Sequence, residues 1–388
     1  MRVLMLCERA PSVDPAVGDG STMISANFLR ELPPGIEVDL IYFGDEGSAP
    51  DTLALRRVAS VRRVPLRSRR LALLAQPFTR LPRAGWQRHV GRRQLQDWAR
   101  EADVLYTHGL HVMHHALRLS LPVVAHEVDP WSEYWRQRAI GLRGPRRWYD
   151  LLQSRRAARL ERALAGSGGI LLVVNERDAE SLRRSTGGHV EAVPNGVQLF
   201  DTGENPVPAD HVLTFVGTLD YPPNIEAVTR LATEVWPRVR SAVQDARLLV
   251  AGRHATAKVE ALAGDGIEVV GEVEDVSAVF RGARASVYPG LTGRGTKNSV
   301  TESLVAGCPV VASVESARGQ VPGPHLLVGE DASALADRAI LMLRSDAANE
   351  EARRACAVVR TRVKGWAETA SRIEGVLIEA ARRSPSSA

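Results

Sequence analysis

The stretch that decides the fold is Tyr288–Ser303, which reads YPGLTGRGTKNSVTES. The apolar run Ala285–Tyr288 predicts a buried strand, and the residues after the glycines predict a helix that continues through Ala306 and ends at Gly307. Three glycines between a strand and a helix let the backbone approach an anion, and the free amides at the helix start favour phosphate. An ordinary strand-loop-helix junction is the alternative interpretation.

Two charged residues of this stretch suit a nucleotide. Glu302 lies about one turn into the predicted helix, where a carboxylate can accept hydrogen bonds from the two hydroxyls of a ribose. Lys297 brings a positive charge into the turn that precedes the helix. The stretch therefore predicts a site for a phosphorylated, ribose-containing ligand.

The composition is that of an ordinary soluble protein with room for two domains. The chain has 388 residues, of which 44% are hydrophobic and 24% charged. Its three cysteines, Cys7, Cys308 and Cys356, are far apart and lack metal-binding spacing, which favours a reducing compartment and argues against a structural zinc site. No apolar run has the length of a signal-peptide core or a membrane-spanning helix, so we expect a cytoplasmic protein.

The net charge of +5 is unevenly distributed. The segment 56–100 is rich in arginine and interleaves its charges with large apolar residues. Such a segment suits an anionic membrane face or an acidic acceptor, which would make the protein peripheral on the inner membrane face. A solvated surface in an arginine-favouring sequence is the alternative. No nucleic-acid partner is expected, since no zinc finger, RNA-binding signature or basic zipper is present.

Strands and helices alternate from the start of the chain. Arg2–Cys7 predicts a strand, a turn with Gly18 and Gly20 leads into a helix, and residues 36–43 predict a second strand. This βαβ unit implies a parallel sheet. The Gly18/Gly20 pair lacks the complete dinucleotide-binding spacing, so it is either a backbone that approaches a ligand or only a turn.

Histidines follow two later predicted strands. His108 comes after the strand at residues 103–106, and His126 after the strand at residues 121–125. Because the carboxyl ends of parallel strands face the ligand crevice of doubly wound sheets, both histidines are candidate functional residues.

The chain divides into two α/β halves. A stretch rich in proline, glycine and charge, at residues 201–210, is the best linker candidate. We predict a Rossmann-like domain over 1–195, a linker over 196–210, and a second Rossmann-like domain over 211–363. A C-terminal helix over 364–382 and a disordered tail over 383–388 follow.

The second half resembles the nucleotide-binding domain of retaining GT-B glycosyltransferases of family 4. The stretches that carry the resemblance are 215–224 (FVGTLDYPPN), 246–253 (ARLLVAGR), 269–276 (VVGEVEDV) and 288–312, together with 194–197 (PNGV), which is similar to the interdomain motif of that family. The first half resembles the family more loosely, through its first strand, the Gly18/Gly20 loop and residues 123–126.

The resemblance implies a GT-B fold of two facing Rossmann-like domains with parallel sheets and an interdomain cleft. The final helix would pack back on the N-terminal domain. The second domain would hold a nucleotide-sugar donor, with Glu302 at the ribose, and the first would hold the acceptor, with His126 as the catalytic residue near the donor sugar. The implied donor-binding residues are Gly217, Thr218, Asn224, Arg253, Gly271, Glu272, Val273, Arg294, Thr296, Lys297, Asn298, Ser299, Val300 and Glu302. The implied cleft-loop residues are Gly18, Gly20 and His108.

Two positions depart from the family pattern. Arg294 stands where the family often has a second glutamate near the donor sugar. Residues 220–224 (DYPPN) stand where the family has an arginine and a lysine that grip the pyrophosphate. We expect Lys297, Arg253 or Arg294, with the loop amides, to meet the charge of the leaving diphosphate instead.

The predicted function is a retaining, metal-independent transfer of a hexosyl group. No Asp-x-Asp occurs in the chain, so a metal-chelating motif of that type is missing. No cofactor is expected, because the nucleotide sugar (UDP-, dTDP- or GDP-linked) is a substrate. The acceptor would be a hydroxyl of a sugar, a natural product, a polysaccharide or a lipid-linked molecule. The alternatives are a GT-B nucleotide-sugar epimerase and a non-catalytic nucleotide-sugar-binding protein, which Arg294 keeps open.

Overall fold

The computed structural model describes residues 1–13, 20–197, 205–291 and 297–383. The chain divides into two compact units, which are Met1–Gly196 with Trp366–Ala388, and Val197–Gly365. Each unit contains one parallel sheet with helices. The prediction of two α/β domains with parallel sheets is confirmed.

Two parallel sheets are built from the strands of the described chain. The strands of the first unit are β1 (Arg2–Cys7), β2 (Glu37–Phe43), β3 (Val58–Val64), β4 (Val104–His108), β5 (Val123–Val128), β6 (Ile170–Val173) and β7 (Val190–Ala192). Those of the second unit are β8 (Val212–Val216), β9 (Arg247–Ala251), β10 (Ile267–Gly271), β11 (Ala285–Tyr288), β12 (Val310–Ser313) and β13 (Leu326–Gly329). The orders β3-β2-β1-β4-β5-β6-β7 and β10-β9-β8-β11-β12-β13 are both doubly wound.

Helices connect the strands and close the chain. Before β8 they are α1 (Gly20–Arg30), α2 (Arg69–Ala75), α3 (Arg83–Gln87), α4 (Arg92–Trp98), α5 (Leu110–Met113), α6 (Trp131–Arg138), α7 (Gly144–Gly166) and α8 (Glu176–Thr186). After β8 they are α9 (Pro222–Arg230), α10 (Trp236–Ala242), α11 (Ala257–Glu260), α12 (Val276–Arg281), α13 (Asn298–Val305), α14 (Ala332–Arg344), α15 (Asp346–Arg362) and α16 (Trp366–Arg382). No helix in the described part of the chain combines the length and the apolar character that crossing a bilayer requires.

Central strands such as β1 and β4 are apolar on both faces because helices cover both sides of the sheet, whereas the edge strand β3 is mostly exposed. In β1, Val3 and Met5 belong to one buried cluster, whereas Leu4 and Leu6 belong to another. The alternation of side chains along a strand sends them to opposite faces of the sheet. The first unit therefore has two cores, one on each face of its sheet.

The last helix belongs to the core of the first unit. Ile373, Val376 and Leu377 of α16 pack in the same cluster as β1. Gly196 lies where α16 begins, since a Cβ atom there would be 2.5 Å from the Cα atom of Trp366. Only glycine allows so close an approach.

The segment that joins the units is partly outside the described residues, which resume at Asn205. Asn205 Nδ2 donates to the carbonyl oxygen of Gly307 at 2.7 Å, and Arg353 donates to Asn205 Oδ1 at 2.7 Å. The described end of the predicted linker is thus held against the second unit. The predicted tail from residue 384 onward lies outside the described residues.

Two helical stretches of the described chain are interrupted. After β4, α5 is followed by a short 3₁₀ turn at Ala116–Arg118. After β8, a π-helical turn at Leu231–Val235 lies between α9 and α10. Pro237 explains this second break, because proline has no N–H group for an intrahelical hydrogen bond.

The arginine-rich segment is largely ordered structure that the sequence patterns did not predict. It contains β3 at the edge of the first sheet, then α2, α3 and α4. Strand β13 and helices α14 and α15 of the second unit were also not predicted. The buried residues of α14 nevertheless recur at helical spacing, at Leu335, Ala339 and Met342, so its apolar period could have predicted it.

Candidate functional site

The end of β11 and the start of α13 form the predicted donor site of the second unit. The carbonyl oxygen of Gly290 accepts a hydrogen bond from Ser313 Oγ at 2.5 Å. A Cβ atom at Gly290 would lie only 2.8 Å from Lys297 Nζ. Glycine at this position therefore leaves the space that the ammonium group of Lys297 occupies.

Lys297 is a half-buried cation. Burial lowers its pKa below the usual value, whereas the nearby carboxylates of Glu226 and Glu315 act in the opposite direction. Within the described chain neither carboxylate forms an ion pair with it at salt-bridge distance. The ammonium group is therefore available to an anionic ligand.

The first turn of α13 adds backbone donors to this cation. Lys297 is the N-cap residue, and the helix has no side-chain cap among the described residues. The amides of Val300 and Thr301 donate to the Lys297 carbonyl oxygen at 3.1 and 3.2 Å, so the amides of Asn298 and Ser299 are the ones left without an intrahelical partner. Asn298 is exposed and Ser299 half-buried. Amides in the first turn of a helix lack intrahelical partners and lie at the positive end of its dipole, so an anion is favoured here.

Glu302 lies one turn further along α13. Its side chain is half-buried, and burial raises the pKa of its carboxyl above the usual range. The carboxylate forms no hydrogen bond or ion pair with any residue that the structure describes. Its charge also contributes to the raised pKa of Tyr288 at the end of β11. A partly desolvated carboxylate without such a partner favours a ligand that donates hydrogen bonds.

Glycines bring the neighbouring strand ends of the second unit into backbone contact. The Gly217 amide, after β8, donates to the Ala251 carbonyl at 3.1 Å, and the Gly252 amide donates to the Gly271 carbonyl at 2.7 Å. A Cβ atom at Gly252 would lie 1.7 Å from the Gly217 carbonyl oxygen. No side chain can therefore replace Gly252 unless the backbone moves.

The loops that follow β8 and β9 are held together by hydrogen bonds. Asn224 Nδ2 donates to the Thr218 carbonyl at 3.0 Å. The Leu219 amide donates to the carbonyl oxygen of Arg253, a half-buried residue, at 2.9 Å. Asn224 thus has a structural role within the segment 220–224, since its side chain fixes the loop after β8.

Of the remaining residues predicted for the donor site, two lie in the described chain after β10. Glu272 is exposed and Val273 is half-buried. Arg294 and Thr296 lie outside the described residues, so their roles stay predictions.

In the first unit, His126 lies on β5 and is almost completely buried. Its Nδ1 atom is 2.8 Å from the hydroxyl of Tyr106 on β4. Burial, reinforced by the neighbouring His108, holds the pKa of His126 well below its usual value. Its Nε2 atom is buried without a hydrogen-bond partner among the described residues. Tyr106 therefore orients the imidazole of His126 through one nitrogen, and the other nitrogen is buried without a partner in the described chain.

His108 lies beside His126 and contacts the start of α1. The two rings are perpendicular, with centroids 5.0 Å apart. His108 Nε2 is 2.9 Å from the Ser21 carbonyl oxygen, and Ser21 directly follows Gly20, the first residue of α1. The structure thus brings His108, His126 and Gly20 to one end of the first sheet. Gly18 lies outside the described residues.

The chain after His126 is strained. Val128 has φ +71°, in the left-handed region that β-branched residues avoid. The Asp129 amide donates to the Glu127 carbonyl at 3.0 Å across it, which is a γ-turn of the rare, strained kind. The buried Glu127 carboxyl accepts from the Trp131 amide at 3.1 Å, while burial and the neighbouring Glu161 raise its pKa well above the usual range. Such strain is concentrated at functional sites.

Sequence patterns missed several polar residues at this end of the sheet. Glu8, directly after β1, lies 2.7 Å from His111 Nδ1. His111 and Arg88 lower the pKa of Glu8 to about 2, against the effect of burial. Glu8 follows a predicted strand as His108 does, so the same signal could have found it. Tyr106 lies inside a strand and gave no signal.

One group of side chains in the described chain has ligand atoms close enough for one metal ion. His189, Glu191 and Glu379 place these atoms within 4.8 Å of one another. Arg383 also forms an ion pair with Glu379. These residues are all partly exposed and none belongs to the predicted site.

Comparison with known families gives two matches that follow each other along the chain. The family described as Glycosyltransferase Family 4 matches residues 20–199, and the family described as Glycosyl transferases group 1 matches residues 210–345. A curated relative, the phosphatidyl-myo-inositol mannosyltransferase of Mycobacterium leprae (strain TN), is 29% identical over 172 residues. This match takes in 41% of the chain and 45% of the relative, so the chain spans less than half of the curated relative it matches.

Solved structures are similar over nearly the whole chain. HepE of Anabaena, in complex with UDP, has a TM-score of 0.67 at 14% identity, with 98% of this chain and 100% of that chain covered. A TarM variant of S. aureus, also in complex with UDP, has a TM-score of 0.68 at 10% identity, with 97% and 100% covered. At these identities the similarity shows the fold alone. With its consecutive family matches and two parallel-sheet α/β units, the chain belongs to the GT-B glycosyltransferases of family 4, the glycosyl transferases group 1.

Proposed function

We propose that this protein transfers a sugar from a nucleoside-diphosphate sugar to a hydroxyl acceptor, with retention at the anomeric carbon and without a metal ion. The arrangement on α13 carries the proposal. Glu302 offers a carboxylate without a partner among the described residues, and Lys297 offers a cation at the start of the same helix. A ribose diol and a diphosphate are one ligand that satisfies both groups.

The donor would be held through its ribose and its diphosphate. Each hydrogen bond from a ribose hydroxyl to the Glu302 carboxylate would contribute about 1.5–3 kcal/mol, the usual range for a bond to a charged group. The Lys297 ammonium and the first amides of α13 would receive the phosphates. HepE and TarM were both solved with UDP, which makes a UDP-linked donor the first to test. GDP- and dTDP-linked donors are the alternatives.

The proposed reaction needs no protein nucleophile. The bond between the anomeric carbon and the diphosphate breaks as the acceptor oxygen attacks from the same face. The departing phosphate oxygen takes the acceptor proton, and Lys297 stabilises the charge that develops on the diphosphate. The Nε2 atom of His126 would hold a hydroxyl of the donor sugar. Cations and backbone amides do here what a divalent ion does in other transferases, which agrees with the absence of Asp-x-Asp from the sequence.

The acceptor is proposed only as a class. The curated relative is a phosphatidyl-myo-inositol mannosyltransferase, so its name points to a hydroxyl on a lipid-linked cyclitol. For this chain we propose a hydroxyl of a sugar, a cyclitol, a natural product or a lipid-linked molecule, and hexosyl transfer as the reaction.

The test is a matrix of UDP-, GDP- and dTDP-hexoses against acceptors of these classes, with a chelator present throughout. Release of nucleoside diphosphate that depends on the acceptor, with the α-configuration of an α-linked donor kept in the product, is the expected result. A donor whose sugar is converted into its epimer without any acceptor would indicate the epimerase. Donor binding without turnover for any acceptor would favour the non-catalytic binding protein.

A further inference from the structure

We propose that Glu8 and His111 of the first unit position the acceptor. The Glu8 carboxylate orients the imidazole, and the Nε2 atom of His111 accepts a hydrogen bond from a hydroxyl of the acceptor. We call these two residues the acceptor dyad. The proposal rests on the proposed transfer reaction, since it names residues for the hydroxyl-bearing substrate of that reaction. His111 would contact the acceptor itself, whereas Glu8 would act through His111.

Glu8 holds both the backbone and the ring of His111. It lies directly after β1, and His111 is the second residue of α5. The Oε2 atom of Glu8 accepts a hydrogen bond from the His111 amide at 3.2 Å and lies 2.7 Å from His111 Nδ1. Each of the two side chains is only 12% exposed. The contacts to one carboxylate oxygen therefore fix the orientation of the ring.

The charge of Glu8 decides which ring nitrogen carries a hydrogen. Burial raises the pKa of the Glu8 carboxyl, but His111 and Arg88 outweigh this effect and lower the pKa to about 2. The carboxyl is therefore ionised at neutral pH and can only accept hydrogen bonds. Nδ1 of His111 must then carry a hydrogen, and in the neutral form of the ring Nε2 is a hydrogen-bond acceptor.

The second nitrogen of the ring is not used by the described part of the protein. His111 Nε2 forms no hydrogen bond with any residue that the structure describes. Unlike Nε2 of His126, it is not completely buried. An imidazole that a carboxylate holds at one nitrogen and that is open at the other is the arrangement by which proteins present a nitrogen atom to a substrate hydroxyl.

The backbone next to the dyad makes room for it. Gly109 has φ +96°, in the left-handed region that favours glycine. A Cβ atom at Gly109 would lie 2.3 Å from the carboxyl carbon of Glu8. The Gly109 amide donates to the carbonyl oxygen of His126 at 2.9 Å. One glycine thus leaves the space that Glu8 occupies and joins the dyad to the strand that carries His126.

Trp131 gives a second connection between the dyad and His126. The centres of the Trp131 and His111 rings are 5.1 Å apart, and the Trp131 amide donates to Glu127, the residue after His126, at 3.1 Å. Strands β1, β4 and β5 are neighbours in the first sheet, and doubly wound sheets bind ligands at the carboxyl ends of their strands. The dyad therefore belongs to the same ligand-binding edge as His126.

A purely structural ion pair is the alternative role for these two residues. The backbone of Glu8 is already fixed, because its amide donates to the His108 carbonyl at 3.1 Å and its carbonyl accepts from Arg88 Nε at 2.8 Å. A pair that only tied the loop after β1 to α5 would also have no use for Nε2 of His111. The two roles differ in what this atom does, so the test removes it alone.

The test replaces His111 by asparagine in the full chain. The asparagine Nδ2 can donate to Glu8 as Nδ1 does, whereas nothing takes the place of Nε2. UDP-glucose is the donor, and myo-inositol, methyl α-glucoside and glycerol are the acceptor probes. We expect His111→Asn to lower kcat/KM for the acceptor by about tenfold, because one hydrogen bond to the acceptor is lost. The KM for the donor and the thermal stability should not change.

His189→Asn is the matched control. His189 also pairs with a glutamate, Glu191, at 3.0 Å, but it precedes β7 and so lies at the opposite edge of the parallel sheet. This variant should have the kinetics of the wild type. Glu8→Gln tests the orienting charge, since an amide can either accept from a ring nitrogen or donate to it. It should raise the KM for the acceptor and leave that for the donor unchanged.

Nuclear magnetic resonance supplies a readout that does not require turnover. In protein labelled at the histidine nitrogens, proton–nitrogen correlation spectra report the tautomer of each ring, and the signals of His111 are those absent from His111→Asn. We expect the Nδ1–H tautomer in the wild type and a mixture of tautomers in Glu8→Gln. At least one acceptor probe, added to the protein with UDP, should shift the Nε2 signal of His111.

The outcomes separate this proposal from the proposed function. The same acceptor kinetics in His111→Asn as in His189→Asn would overturn the dyad, as would an Nε2 signal that none of the three probes shifts. A loss in His111→Asn that affects the donor and the acceptor equally would also overturn it. A shifted Nε2 signal without acceptor-dependent turnover in the wild type would overturn the proposed transfer but support the dyad as a binding site for the hydroxyl compound.

Discussion

Lys297 and Glu302 lie five residues apart in sequence but differ in how far neighbouring charges offset the effect of burial on their pKa values. Burial disfavours the charge of each, since it lowers the pKa of Lys297 and raises that of Glu302. For Lys297 two carboxylates partly offset this effect, whereas no such group acts on Glu302 within the described chain. A ligand that places an anion at Lys297 and hydrogen-bond donors at Glu302 would stabilise both charges. Each residue should therefore tolerate substitution in the free protein and be sensitive to it in the complex.

Replacing Lys297 should weaken diphosphate binding selectively. We expect Lys297→Met to raise the dissociation constant of the nucleoside diphosphate by about tenfold or more, because bonds to a charged donor contribute roughly 1.5–3 kcal/mol. Binding of the corresponding nucleoside should not change. Isothermal titration calorimetry measures both constants, and Lys258→Met, at an exposed lysine of the same unit, is the matched control. An equal loss for nucleoside and diphosphate would contradict the assignment of Lys297 to the phosphates.

His126 should affect turnover rather than donor binding. We expect His126→Ala to lower turnover by more than about tenfold, because a positioned side chain near the reacting group contributes at least this factor. Tyr106→Phe, which removes the hydroxyl that orients Nδ1, should have a smaller effect. Steady-state rates with the preferred donor measure both, with circular dichroism as the check on folding. Unchanged turnover in folded His126→Ala would remove His126 from the mechanism.

At the scale of elements, the sequence predicted the strands whose ends carry the glycine or polar residues that the site requires. The glycines after β8 and β11 and the histidines among the last residues of β4 and β5 mark the carboxyl ends of parallel strands, where backbone contact and ligand binding restrict the residue type. Helix α2 was not predicted, because its leucines face away from the core and its short apolar run shows no helical period. The π-helical turn was missed for another reason, since Pro237 perturbs the helix only through a hydrogen bond that it cannot form.

A cluster of buried histidines between α3 and α5 should make the first unit sensitive to acid. His89 Nδ1 is 3.2 Å from His114 Nε2, and His115 Nε2 is 2.9 Å from the Arg88 carbonyl oxygen. Burial and the positive charge of Arg118 lower the pKa of His89 and of His115 to about 4, and that of His114 well below its usual value. In the unfolded chain these imidazoles take up protons below about pH 6.5.

Stability should therefore fall as the pH falls from about 6.5 to about 4, because the unfolded state binds protons that the folded state excludes. We expect His115 to account for a loss of roughly 2 kcal/mol between neutral pH and about pH 5, and the half-exposed His89 for less because solvent screens its charge. Urea unfolding followed by tryptophan emission reports this mainly for the first unit, since Trp236 is the one tryptophan of seven in the second unit. His89→Asn should reduce the dependence on pH. A free energy of unfolding that rises on acidification would contradict this explanation.

At the scale of the molecule, the sequence predicted two α/β domains but not all of the elements that complete them. The C-terminal helix has an apolar face of its own, yet the sequence alone does not show which core that face joins. Its assignment to the first unit rests on contacts between residues far apart in sequence, such as Thr369 with Pro194, which are 175 positions apart. A single sequence contains little information about contacts between residues so far apart.

The last helix should be necessary for the stability of the first unit. Leu377 is completely buried in its core, so Leu377→Ala should lower the free energy of unfolding by about 2–5 kcal/mol. Ser371→Ala, at an exposed position of the same helix, should have little effect. Deletion from Lys364 onward should be more destabilising than either. Tryptophan emission during urea unfolding measures the change, and equal stability of Leu377→Ala and Ser371→Ala would contradict the packing of α16.

Binding of the donor nucleotide at α13 can be measured by a thermal-shift screen of UDP, GDP, dTDP and ADP. A ligand at about a hundred times its dissociation constant adds roughly 2.7 kcal/mol to the stability of the state that binds it, which is a measurable shift. We predict that one nucleotide stabilises the wild type and the exposed-site control Glu260→Ala, but not Glu302→Ala. The same shift in Glu302→Ala as in the wild type, or no shift with any of the four nucleotides, would contradict it.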